Sequence, residues 1–180
     1  ADGPSQLFLA SVAAPIKPEP LPTPAGGDYF APGLSPDRRT LIYIDGERDA
    51  LRAMAVDGSG ERLLFGKPDG CDGIAHASWS PADLTTVVVE CQTEGEPDQL
   101  LVMTLGGTVV RKLATGLARS QDPSVSPDGS SVVYWGRGVE GRTGGALFRI
   151  ALDGGGEPER LTNSGPGIDA DPTWSPDGGS

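Results

Sequence analysis

The chain has 180 residues, the length of one ordinary domain, with 25 acidic against 14 basic residues and a net charge of −11. That balance repels nucleic acid and anionic membrane surfaces, and no apolar run approaches the roughly 20 residues of a membrane-spanning helix. Its 27 glycines and 17 prolines fall between Val, Leu, Ile and Tyr runs, the texture of short strands joined by tight turns rather than of disorder.

The first apolar stretch, 7–16, lacks the basic flank of a secretory leader. Its text belongs to a repeat instead. Leu7-Phe8-Leu9 followed by Glu19-Pro20-Leu21-Pro22-Thr23 parallels Leu147-Phe148-Arg149 followed by Glu159-Arg160-Leu161-Thr162. Leu7 and Leu147 each precede a Ser-Pro pair by 28 residues, at Ser35 and Ser175. Residues 1–27 therefore read as the second half of a unit. The unit at 28–70 predicts strands over 29–35, 40–44, 50–56 and 61–65. The unit at 71–118 predicts them over 75–80, 85–90, 99–105 and 108–113. The unit at 119–167 predicts them over 122–126, 131–135, 146–152 and 159–162. Residues 168–180 begin a further unit with a first strand and its turn.

One phrase marks each unit: Ser35-Pro36-Asp37, Ser80-Pro81-Ala82-Asp83, Ser126-Pro127-Asp128-Gly129 and Ser175-Pro176-Asp177-Gly178. The prolines recur at intervals of 45, 46 and 49 residues, a period that means stacked supersecondary units. Pro presets the first central turn position, Asp tolerates the second, and Gly follows where a left-handed residue is easiest. The second unit lacks Asp-Gly after its proline, so its hairpin turn is expected to be distorted. Four antiparallel strands per unit make a propeller blade. The fold class is all-β: a β-propeller of roughly 45-residue four-stranded blades, three complete and two partial. A ring of these units alone would leave unpaired edges, which proteins avoid. The expectation is a segment of a larger propeller, or self-association through the incomplete terminal blades.

Asp171-Pro172-Thr173-Trp174-Ser175-Pro176-Asp177-Gly178 carries the full pattern Asp-Pro-x-Trp-Ser-Pro-Asp-Gly. Asp122–Gly129 loses only the Trp, His76–Pro81 keeps the Trp but loses Asp and Gly, and Ala31–Asp37 diverges most. Arg160-Leu161-Thr162 and Arg62-Leu63-Leu64 match the repeat's end. In these residues nearly the whole chain resembles the TolB-type, WD-repeat-like β-propeller family. That family includes the periplasmic Tol component, which binds partner proteins, and propeller domains attached to serine peptidases, lyases and sensor kinases. The resemblance implies the fold and does not choose among those functions.

The residues five before each turn proline are Ala31, His76, Asp122 and Asp171. At the start of innermost strands they approach a central channel. There His76, Asp122 and Asp171 are candidates to hold a cation or a ligand's amines. The alternative is structural, carboxylates bonding nearby backbone amides, and the regularity of Asp-Pro in the repeat favours it. Cys71 and Cys91 flank the inner hairpin of the second unit, with Cys91 opposite residue 74. A disulfide across 20 residues would stabilise by about 3 kcal/mol and imply an oxidising compartment. The alternative is two free thiols. A metal centre on the cysteines is not expected, for want of further Cys or His, and no cofactor is implied.

Gly136-Arg137-Gly138-Val139-Glu140-Gly141 matches a dinucleotide fingerprint, but a strand follows where that mechanism needs a helix, so it reads as a hairpin loop. Asp45, Glu47 and Asp49 read as a solvated acidic loop. Trp79 and Trp174 are expected in blade-to-blade packing, while Trp135 or Trp174 is the candidate stacking platform for a small ligand. No catalytic set emerges: His76 is the only histidine, and neither a Gly-x-Ser-x-Gly elbow nor His-Glu-x-x-His occurs. The expected function is a non-catalytic, extracytoplasmic propeller module for protein interaction or ligand sensing. The alternative is the propeller portion of a hydrolase or lyase whose catalytic residues lie elsewhere.

Overall fold

The second strand of each unit is apolar at nearly every position rather than at alternate ones. That pattern requires a sheet covered on both faces. A computed structural model describes residues 5–10, 18–138, 145–163 and 169–179, and all its elements are strands. No helix among these residues is long and apolar enough to cross a membrane.

The half-unit is a two-stranded sheet of β1 (Phe8–Leu9) and β2 (Glu19–Pro20), with Phe8 opposite Pro20. The first complete blade is β3 (Tyr29–Leu34), β4 (Thr40–Asp45), β5 (Ala50–Ala55) and β6 (Arg62–Gly66). The second is β7 (Gly73–Trp79), β8 (Thr86–Gln92), β9 (Gln99–Thr104) and β10 (Val109–Leu113). The third is β11 (Arg119–Val125), β12 (Ser131–Arg137), β13 (Ala146–Ala151) and β14 (Glu159–Arg160). Each blade is an antiparallel meander in chain order. All twelve strands predicted for these three units are present, with no end shifted by more than three residues.

Residues 41–45 and 87–91 are wholly buried because successive side chains serve opposite interfaces. Leu41 and Tyr43 pack toward the half-unit with Leu7, Tyr29 and Met54. Ile42 and Ile44 pack toward the second blade against Val87, Val89 and Met103. Val88, Leu100 and Val102 meet Val132, Tyr134 and Ile150 of the third blade. The outer strands face solvent, as residues 109–112 of β10 do.

The Ser-Pro-Asp phrase owes its recurrence to side-chain bonding as well as to backbone preference. Ser35, Ser126 and Ser175 each donate from Oγ to Oδ1 of the following Asp at 2.6 Å. The same Ser Oγ accepts the N–H that opens the next strand, Thr40 at 2.9 Å and Ser131 at 3.0 Å. The residue after Asp is left-handed: Arg38 (φ 59), Gly129 (φ 70) and Gly178 (φ 70). In the second unit Asp83 instead accepts the N–H groups of Thr85 and Thr86, and the turn closes one residue later, from Ser80 to Thr86. That is the expected distortion.

Two expectations need correction. Residues 171–175 form no strand, because no second strand pairs with them among the described residues. Their turn is nevertheless made, Gly178 N–H to Ser175 C=O at 2.9 Å, and Trp174 Nε1 donates to Ser124 C=O of the third blade at 3.0 Å. The acidic loop is also not uniformly solvated. Asp45 is fully buried, since Arg48 and Arg52 both reach it, while Glu47 is exposed. Residues 139–141 of the glycine-rich motif lie outside the described residues; its flanks are strands β12 and β13.

Candidate binding site

Each innermost strand carries a bulge at the start of the repeat pattern. The register slips between Phe30 and Gly33, between Ile74 and Ala77, and between Gln121 and Ser124. Bulges re-aim side chains. Ala31 (φ 48), Asp122 (φ 53) and Asp171 (φ 50) share a left-handed backbone at this column, a conformation Asp tolerates better than most residues. In the second blade the slip comes one residue earlier, over Ala75 and His76.

The fold brings His76 and Asp122 together across the boundary between the second and third blades. His76 Nδ1 lies 3.0 Å from Glu90 Oε2 and 3.1 Å from Asp122 Oδ1. The Asp122 backbone N–H donates to the same Glu90 Oε2 at 3.3 Å, and Gln92 Nε2 donates to Glu90 Oε1 at 3.0 Å. Glu90 is 1% exposed, whereas the His76 side chain keeps 41% of its surface open. The hydrogen bond that His76 donates to Glu90 holds it above its ordinary pKa against the opposing effect of burial, helped by the charges of Glu90, Asp122 and Asp171. Burial raises Asp122; His76 opposes this, and the Glu90 and Asp171 charges reinforce it. Asp171 thus acts on the group through its charge, and its backbone N–H donates to Asp122.

Glu90 was not singled out by the sequence reading. The signal was present: β4 and β12 hold Ile44 and Trp135 at the matching position, opposite Leu51 and Leu147. A carboxylate there stands out in an otherwise apolar strand. Asp98 was also missed. It is buried between β9 and β11, where Arg119 Nη1 meets both its oxygens at 3.2 Å and Gln121 Nε2 donates to Oδ2 at 3.2 Å. Burial raises Asp98 and the Arg119 hydrogen bond opposes it.

Cys71 and Cys91 form a disulfide, with Cα atoms 5.4 Å apart. Cys91 pairs with Ile74 in the β7–β8 ladder, so Cys71 reaches it from the segment just before β7. Their chain neighbours Asp72 and Gln92 wall a cleft of about 780 Å³ with Asp49, Glu94, Glu96 and Arg119. Four carboxylates thus face one guanidinium at the end of the blades remote from the Ser-Pro-Asp turns. Gln92 joins the cleft to the Glu90–His76 group.

The three tryptophans behave differently from one another. Trp79 is buried in the interface between the first and second blades. Trp174 docks onto the third blade through its Ser124 bond. Trp135 is partly covered by Gly145, where a Cβ would fall 2.1 Å from the indole nitrogen.

Comparison with solved structures follows the same architecture. TolB from Acinetobacter baumannii superposes with a TM-score of 0.68 at 19% identity, over 90% of this chain and 38% of that one. A candidate TolB from Agrobacterium tumefaciens gives 0.74 at 20% identity, over 98% of this chain and 64% of that one. These two neighbours of the chain are TolB-like β-propellers. A chain in a nidogen/laminin complex also matches, with a TM-score of 0.64 at 11% identity, over 81% of this chain and 52% of that one. This chain therefore spans less than two thirds of each TolB structure. No family model matches the sequence, and no curated protein matches it. At these identities the likeness establishes the propeller fold.

Proposed function

We propose that this chain is a non-catalytic propeller module that binds a basic segment of a partner protein, outside the cytoplasm. The observation that carries this reading is the acidic cleft at the loop end of the second blade, lined by Asp49, Asp72, Glu94 and Glu96. In a chain of net charge −11, such a cleft attracts Lys- and Arg-rich segments and speeds their encounter. The Cys71–Cys91 disulfide fixes two walls of the cleft and supports an oxidising compartment. It also occupies both thiols, which favours binding over catalysis by a cysteine nucleophile. The nidogen/laminin complex is a case in which a protein of this architecture takes part in a protein assembly.

The test is site-directed photo-crosslinking in the cells that make the protein. A photo-reactive residue at position 96, at the rim of the cleft, is compared with one at position 157, exposed at the opposite end. The expected result is one partner captured from position 96 and not from 157. Capture from 157 alone would refute the assignment of the loop end.

A further inference from the structure

The group between the second and third blades has an unusual economy of hydrogen. One imidazole nitrogen, His76 Nδ1, faces Glu90 Oε2 at 3.0 Å and Asp122 Oδ1 at 3.1 Å. A single ring N–H directs well at only one acceptor, and the contact to Glu90 has hydrogen-bond geometry. Asp122 Oδ1 is left to share that hydrogen, and the further donor to the Asp122 carboxylate is the Asp171 backbone N–H. Donor atoms of His76, Glu90 and Asp122 all lie within 4.8 Å of one another. A cation at the focus satisfies all three.

The distances fit a particular class of ion. Zinc binds imidazole nitrogen and carboxylate oxygen at about 2.0–2.2 Å in tetrahedral sites, which sets ligand-to-ligand separations of roughly 3.3 Å. The two separations on His76 are a few tenths of an ångström shorter, an opening that two side chains can supply. One nitrogen with two carboxylates suits a divalent transition ion, whereas calcium takes six to eight oxygens.

We propose that His76 Nδ1, Glu90 Oε2 and Asp122 Oδ1 form a zinc site that clips β7 and β8 of the second blade to β11 of the third. On binding, Zn2+ displaces the hydrogen at Nδ1 to solvent, and the neutral imidazole keeps its other hydrogen on Nε2. The exposed edge of His76 leaves the remaining coordination position to water. Gln92 holds the second oxygen of Glu90 at 3.0 Å and so orients the buried carboxylate. This site is independent of whether a basic partner occupies the neighbouring cleft.

The chain's single histidine makes the test unambiguous. The intact protein, 15N-labelled and stripped of metal with a chelator, is titrated with ZnCl2 at neutral pH while the imidazole nitrogens are followed by long-range 1H–15N NMR. The expected result is saturation at one equivalent, with Nδ1 metal-bound and the hydrogen on Nε2. Calorimetry of Glu90→Gln and Asp122→Asn is expected to show affinity lowered about tenfold or more in each. Binding through Nε2, or imidazole resonances unmoved by excess zinc, would overturn the proposal. So would equal zinc affinity in the two variants and the parent. The NMR readout uses the parent chain alone, so a variant that fails to fold leaves the test decisive.

Discussion

Removal of the Cys71–Cys91 bridge is the sharpest perturbation of the candidate site's frame. The cross-link spans a sequence separation of 20. Loop-closure entropy for that length gives about 3 kcal/mol at 25 °C. Both cysteines are buried in the interface of the first and second blades, so Cys71→Ala/Cys91→Ala adds a small packing loss without introducing an unpaired hydroxyl. With a urea m-value of about 2 kcal/mol/M, the unfolding midpoint falls by roughly 1.5 M. Urea titration of the parent, with and without reductant, and of the double alanine variant checks the figure. Reduction and double substitution should agree within about 1 kcal/mol. A loss below about 1 kcal/mol in both would refute the reasoning, because the hairpin ladder would then hold the segment before β7 unaided.

Three further outcomes follow from the turns. Arg38 takes a left-handed backbone, φ 59, where Gly129 and Gly178 stand in the sister turns. Relief of about 1–2 kcal/mol of strain, less the added freedom of the unfolded chain, makes Arg38→Gly stabilising by about 0.5–1 kcal/mol in thermal melts. Gly129→Ala should cost about 2–3 kcal/mol, since a Cβ there falls 2.4 Å from Ala82 Cβ at φ 70; adding Ala82→Gly should recover part of the loss. Asp128 is held down to about 2 by bonds from Ser126 and Ser130. A depressed carboxylate stabilises above its unfolded value near 3.9, and the contribution fades as pH falls through about 2. Carboxyl-detected NMR should find that low titration, and Ser126→Ala should raise it.

The sequence exposed the blades because each Ser-Pro-Asp turn combines a local side-chain cage with a backbone demand. Both are legible within six residues, as the Ser126–Ser131 and Ser35–Thr40 pairs show. The column Ala31, His76, Asp122 and Asp171 was visible from its spacing, but the bulges that carry Ala31 and Asp122 depend on the partner strand's register. Glu90, Asp98 and Asp45 were harder to read. Each is a buried charge whose partners come from other strands or an adjoining loop, and burial of that kind is settled by packing rather than local pattern. His76 was placed near the channel from spacing alone. Its contact with Glu90 is made across the β7–β8 pair, beside the second blade's bulge.

The most direct measurement of the functional reading is the affinity of the crosslinked partner for charge-reversed variants at several salt concentrations. Glu94→Lys/Glu96→Lys alters two exposed carboxylates of the cleft, and Asp57→Lys/Glu157→Lys alters two exposed ones at the opposite end. The account predicts at least a tenfold loss for the cleft pair, little change for the other pair, and a parent affinity that falls as salt rises. An unchanged affinity for Glu94→Lys/Glu96→Lys, with a loss confined to the opposite end, would contradict it.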